Sequence, residues 1–198
     1  MTRLPVIGLI AAILLAGVIL GESPQQSFPE SPKFTNDGKL VRPEGYREWI
    51  FVTSGLGMTY GARPSTSEQQ DPRFDNVFVS RAAYESFLKN GIWPDKTVLV
   101  LEIRASRSKE SINRGGHFQG DVDALEVEVK DSSRFKGKWA FFDFGQDAPS
   151  VASLPTTAAC YSCHAHNGAV DNTFVQFYPT LLQVAKQKGT VRSQANSE

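Results

Sequence analysis

The chain has 198 residues, 40% of them apolar, with 21 basic residues against 21 acidic ones. That length suits one domain of about 170 residues behind a targeting segment, enough to bury a proper core. The even charge balance excludes the basic surface that a nucleic-acid partner needs and the polybasic patch that draws a protein to anionic lipid.

Arg3 precedes the apolar run Leu4 to Leu20, and Gly21, Glu22 and Ser23 follow it. A positive start, an apolar stretch and small residues at its end predict export, with residues 1–23 as a signal peptide. An uncleaved membrane anchor is the alternative, since about 17 apolar residues are at the low end of what spans a bilayer. Either way the domain is expected outside the cytoplasm, in the periplasm or its equivalent. Residues 24–40 carry Pro, Ser and Gln clusters and predict a linker with a short ordered entry. The domain is expected over 41–190, and 191–198 as a disordered tail.

Within the domain, Trp49 to Val52 predict a strand, and residues 55–73 a loop. A short strand follows over 76–80. Ser80 then caps a helix in which Ala83, Tyr84, Phe87 and Leu88 share one face before Gly91. The run TVLVLEIRA predicts a strand with Leu99, Leu101 and Ile103 on one side and Val98, Val100 and Glu102 on the other. Leu125, Val127 and Val129 alternate with Glu126, Glu128 and Lys130, which predicts an antiparallel sheet with one wet face. KWAFFDFG is a further strand. Residues 171–187 predict a helix capped by Asp171 or Asn172 and kinked or broken at Pro179. Strands fill the middle and helices the end, so the expected class is α+β, mainly antiparallel sheet with a few helices.

Cys160 and Cys163 are the only cysteines, and His164 follows directly. A thioredoxin-like pair would need a strand before the motif, and SLPTTAA is not one. A bare disulfide leaves His164 unexplained. Zinc would find Cys160, Cys163 and His166, one ligand short of a structural site. The remaining reading is covalent haem, one per chain, for which C-x-x-C-H is the attachment signal. Both thiols would bond one edge of the porphyrin and His164 would bring its imidazole under the iron. A second axial ligand would make an electron carrier. Met58 and His117 are the candidates, because His166 is too close to His164 to reach the opposite face. Neither stands out, so an open distal position is expected, which favours ligand binding or chemistry.

The runs GYREWIFV, NVFVSRAAYESFLKNGIWPDKTVLVLEI, GHFQGDVDALEVEVKD, KWAFFDF and CYSCHAHNGAVDNTFVQFYP stand in an order and spacing that resemble the cytochrome P-460 family. The resemblance covers about residues 40–187. Its most specific part is CxxCH followed by D-x-x-F-x-x-F-Y-P, which takes in Phe174, Phe177 and Tyr178. It implies a mono-haem c-type protein, usually a homodimer, whose best-known members oxidise hydroxylamine, or hydroxylamine and nitric oxide, in bacterial periplasms. It also implies Cys160 and Cys163 as haem anchors and His164 as proximal ligand.

In the hydroxylamine-oxidising members a lysine cross-linked to the porphyrin stands directly before the position of Glu102. Here that residue is Leu101. Lys96 lies about 16 Å away along a strand and on its other face, so it cannot substitute. The chain is thus similar to members without the cross-link, such as cytochrome c-prime-beta, which bind small gases. The expectation is a site for small nitrogen oxides (nitric oxide, hydroxylamine) served by a redox partner protein. A peroxidase-like activity ranks lower, because no distal His–Arg pair is identifiable. Asp143, Asp147, Glu102 and Asp121 are the carboxylates available as proton acceptors, and spacing does not choose among them.

Overall fold

The computed structural model describes residues 30–60 and 72–192. The apolar run Leu4–Leu20, most of the loop expected over 55–73 and the tail beyond Arg192 lie outside the described residues. Among those described, no helix is long and apolar enough to cross a membrane.

Among the described residues, five antiparallel strands form the main sheet. They are β2 (Ile50–Leu56), β3 (Phe74–Val79), β4 (Val98–Arg107), β5 (Phe118–Lys130) and β6 (Trp139–Asp143), in the order β2-β3-β4-β5-β6. Every neighbour in space is a neighbour in sequence, so the sheet is a meander apart from α1 (Arg81–Asn90) between β3 and β4. A two-stranded ribbon pairs β1 (Leu40–Val41) with β7 (Ser150–Val151). Helices α2 (Ala159–Asn167) and α3 (Pro179–Lys188) close the chain. The class is α+β, with the strands where alternation placed them.

Register decides what each face carries. Val98, Val100 and Glu102 of β4 lie opposite Val129, Val127 and Leu125 of β5. These valines and leucines join Leu40, Tyr46, Trp49, Phe142 and Phe144 in one buried cluster. Phe34 and Val151 pack onto it, so the ordered entry to the domain begins by Phe34. The second cluster lies on the other face, where Leu99 meets Phe87, Trp93, Trp139, Leu181 and Ala185 under α1 and α3. Both faces are therefore covered. The wet face expected from Glu126, Glu128 and Lys130 is instead the face that looks toward the C-terminal helices. Alternation reports which residues share a face; it does not report what the rest of the chain lays over it.

Helix α1 ends as its residues dictate. The Ser80 hydroxyl accepts from the Ala83 N–H at 3.4 Å, and Gly91 takes φ 72°. A methyl on Gly91 would stand 2.7 Å from Lys188 Cβ, so this turn fits the end of α3 only as glycine.

Asp171 and Asn172 do not cap a helix. Both are left-handed, at φ 50° and 62°, inside a turn bridged by Val170 and Thr173. A short 3₁₀ turn follows at Val175–Phe177, and Pro179 then starts α3 at its first position. Proline is favoured there because its missing N–H has no helical partner to lose. Of the kink or break expected at Pro179 it is the break that occurs, and the stretch before it is a turn and a 3₁₀ segment rather than α-helix.

Candidate functional site

Helix α2 places Cys160, Cys163 and His164 on one side, because residues three and four apart lie on the same helical face. All three line a cavity of about 630 Å³ between α2 and the helix-side face of the sheet. His166 falls on the far side of α2, where its Nδ1 meets the Ser162 carbonyl at 2.8 Å in solvent. Both thiols are free and half-buried. None of the nine residues of α2 is buried.

The histidine is held on three sides. Its ring lies between Phe141 at 4.5 Å and Phe174 at 4.3 Å. Nδ1 sits 2.9 Å from the Asn172 carbonyl, which accepts its proton and leaves Nε2 as the free lone pair. Burial keeps the ring neutral by lowering its pKa, against the pull of that carbonyl. A neutral imidazole with one nitrogen anchored to a carbonyl is the usual state of a metal ligand.

Gly168 makes the anchor possible. A methyl there would lie 2.6 Å from the Asn172 carbonyl carbon and 2.7 Å from the His164 oxygen. The end of α2 and the turn at Asn172 therefore touch backbone to backbone. Gln176 ties the same seam, accepting from the Ala169 N–H at 3.1 Å and donating to the Asn167 carbonyl at 2.8 Å.

The sheet side of the cavity is acidic. Asp75, Glu126, Glu128 and Asp143 all line it, and among the described residues no lysine or arginine does. Glu128 lies 3.5 Å from His164 Nδ1, and one of its oxygens is buried without a hydrogen-bond partner. Burial first, and the charge of Glu126 second, push its carboxyl up to about 8. Burial also raises Asp75, and raises Glu126 together with the charges of Asp143 and Asp75. Tyr178 stands well above the usual phenol range for the same reason.

Of the carboxylates weighed from sequence, only Asp143 reaches this space. Glu102 is 2% exposed on the opposite face, where Tyr46 (2.5 Å), Arg47 and Arg104 (2.5 Å) bond it. Burial opposes its charge, but those hydrogen bonds outweigh it and lower the pKa. Asp121 pairs with Arg107 at the surface, and Asp147 borders a separate polar hollow beside Arg42. Asp75, Glu126 and Glu128 were missed. The last two were legible as a pair on one face, and only the assumption that this face was wet hid them.

Leu101 does line the cavity, between Val77 and Glu126 on the neighbouring strands. Lys96 is remote from it and pairs with Asp131 at 2.5 Å. Met58 lines the cavity, but its sulfur is folded so close over Gly55 that a methyl there would stand 2.4 Å from it. His117 is outside the lining, beside the Ser106 hydroxyl at 3.3 Å. Phe177 and Tyr178 both border the space.

A haem fits this arrangement: two thiols one helical turn apart, a neutral, anchored imidazole, aromatic walls and a cavity of cofactor size. The class of protein that fold and site define is a haem-binding α+β domain. The chain matches the family model described as Cytochrome P460 over residues 43–175 and belongs to that family, which makes it a haem protein. No curated protein matches it.

Proposed function

We propose that the protein is an exported mono-haem c-type cytochrome with an open distal site for small, uncharged nitrogen oxides. Cys160 and Cys163 hold the porphyrin covalently, and His164 is the proximal ligand through Nε2. The haem supplies an iron that binds such ligands and exchanges electrons. The chain's own residues do the rest. The Asn172 carbonyl holds the His164 proton at Nδ1, and Phe141 and Phe174 fix the ring plane.

One observation carries the reading: Cys160, Cys163 and His164 converge on a single large cavity in which no imidazole besides His164 stands. The lining supports an uncharged ligand. Among the described residues no lysine or arginine lines the cavity beside these carboxyls, and whichever of them is ionised disfavours an anion such as nitrite while leaving nitric oxide or hydroxylamine undisturbed. Asp75 and Glu126, whose carboxyls burial pushes upward, stand in the lining as candidate proton acceptors. Leu101 favours the cytochrome c-prime-beta-like branch, without the lysine cross-link. Homodimerisation and a redox partner protein belong to this proposal as well.

A second reading, an electron carrier with a sixth ligand, retains Met58 as its candidate because that residue borders the cavity. His117, with Ser106, is a poor candidate. Titration of the ferrous protein with nitric oxide tests the main reading. A saturable one-to-one complex at micromolar ligand supports it, and no complex defeats it.

A further inference from the structure

The turn Val170–Thr173 carries two consecutive left-handed residues, and neither is glycine. Such residues persist only where their surroundings hold them. A turn with two left-handed central residues accepts Asn, Asp or Gly at the first of them and favours Gly at the second, where Asn172 stands instead. The side chain of Asp171 gives the turn a further attachment. It pairs with Nζ of Lys130, the last residue of β5. That ammonium is 12% exposed, donates to the Trp93 carbonyl at 2.6 Å, and lies 5.9 Å from the centre of the Trp139 ring. Trp93 in turn donates from its indole nitrogen to the Thr173 hydroxyl at 2.8 Å, which donates to the Val170 carbonyl at 2.7 Å. The turn is thus fastened at Asp171 by Lys130 and at Thr173 by Trp93, two residues joined to each other by the Lys130–Trp93 hydrogen bond, and Asn172 between them presents its carbonyl to His164.

We propose that the Lys130–Asp171 ion pair is a positioning device for the haem-ligating histidine: it locks the turn that aims the Asn172 carbonyl at His164 Nδ1, and so sets the electron donation of the axial imidazole. This rests on the proposed role of His164. It does not depend on what binds opposite. A carbonyl that accepts the Nδ1 proton makes the imidazole more basic, and loss of its alignment makes it a poorer donor. Lys130 touches no reacting atom. It acts through Asp171 and Asn172.

The test uses the intact haem-loaded protein and the variants Lys130→Met, Asp171→Gly and their combination. Asp171→Gly relieves the backbone strain while removing the carboxylate, so it separates the tether from the turn. Resonance Raman of the ferrous state reads the iron–imidazole stretch, and redox titration reads the midpoint potential. The stretch should fall and the potential rise in both single variants, with the double variant no further displaced than either, as expected of two halves of one interaction. A wild-type stretch and potential in Lys130→Met, even with a lowered melting temperature, would overturn the proposal. So would additive shifts in the double variant, or an Asp171→Gly protein indistinguishable from wild type. Failure of nitric oxide to bind would count against the proposed function while leaving this proximal signature readable.

Discussion

Gly168→Ala presses on the site at one point. The added methyl would meet the Asn172 carbonyl carbon at 2.6 Å, its Cα at 2.8 Å and the His164 oxygen at 2.7 Å. Ordinary contact begins near 3.4 Å, so the two backbones must part by about 0.8 Å. All three atoms are main-chain, and no side-chain rotation relieves them. Gly168 itself has φ −67°, so the effect is steric and not a matter of backbone conformation. The His164–Asn172 bond is 2.9 Å long, and the same displacement along it gives about 3.7 Å, beyond hydrogen-bonding range. Overpacking of this kind costs about 1–3 kcal/mol and the lost bond about 1 kcal/mol more. For a domain of this size that is a melting temperature lower by roughly 5–15 °C. The assay is thermal unfolding of the haem-loaded protein, with the iron–imidazole stretch read alongside. Gly137→Ala serves as control, because its methyl would meet nothing nearer than 4.0 Å. If Gly168→Ala melts with the control and keeps the wild-type stretch, the backbone seam between α2 and the Asn172 turn is not what holds the histidine.

Glu128 gives a pH signature. Its carboxyl titrates near 4.5 when unfolded and at about 8 when folded, so between those values the folded protein holds a proton that the unfolded chain has released. Stability should therefore fall as pH rises through that window, with a slope approaching about 1.4 kcal/mol per pH unit, and Glu128→Gln should flatten it. Parallel urea-denaturation profiles for the two proteins would refute the assignment. Cys160→Ser/Cys163→Ser should release its haem to acidic organic solvent while the wild type retains it, as an extraction followed by mass spectrometry will report. Retention by the variant would contradict thioether attachment at these residues. His117→Ala should leave the ferric and ferrous spectra unchanged, and a spectral shift would place that residue near the iron.

The sheet was largely readable because its strands obey alternation and its turns carry glycine or polar residues. Ser80 and Gly91 marked the ends of α1 for the same local reasons. The cysteine motif could be read because C-x-x-C-H is a self-contained haem-attachment signal in five consecutive residues. What escaped depends on long-range packing. Glu126 and Glu128 look solvated in any strand pattern, and become cavity groups only when α2 is laid across β5 and β6. Asp171 and Asn172 have the composition of a helix cap, yet here they turn left-handed, and the first of them meets Lys130, 41 residues earlier in the chain. Gly168 carries no pattern at all. Its need appears only when Asn172 arrives against it. Asp75 was overlooked beside the apolar run of β3, and register alone brings it to the cavity face, two residues from Val77.

The central claim is an iron held by His164 with its opposite face open. The absorption and electron paramagnetic resonance spectra of the purified ferric and ferrous protein test it most directly. A high-spin iron in both states, five-coordinate when ferrous, is the predicted result. A low-spin, six-coordinate iron that becomes high-spin on Met58→Ala would contradict it and make the protein an electron carrier.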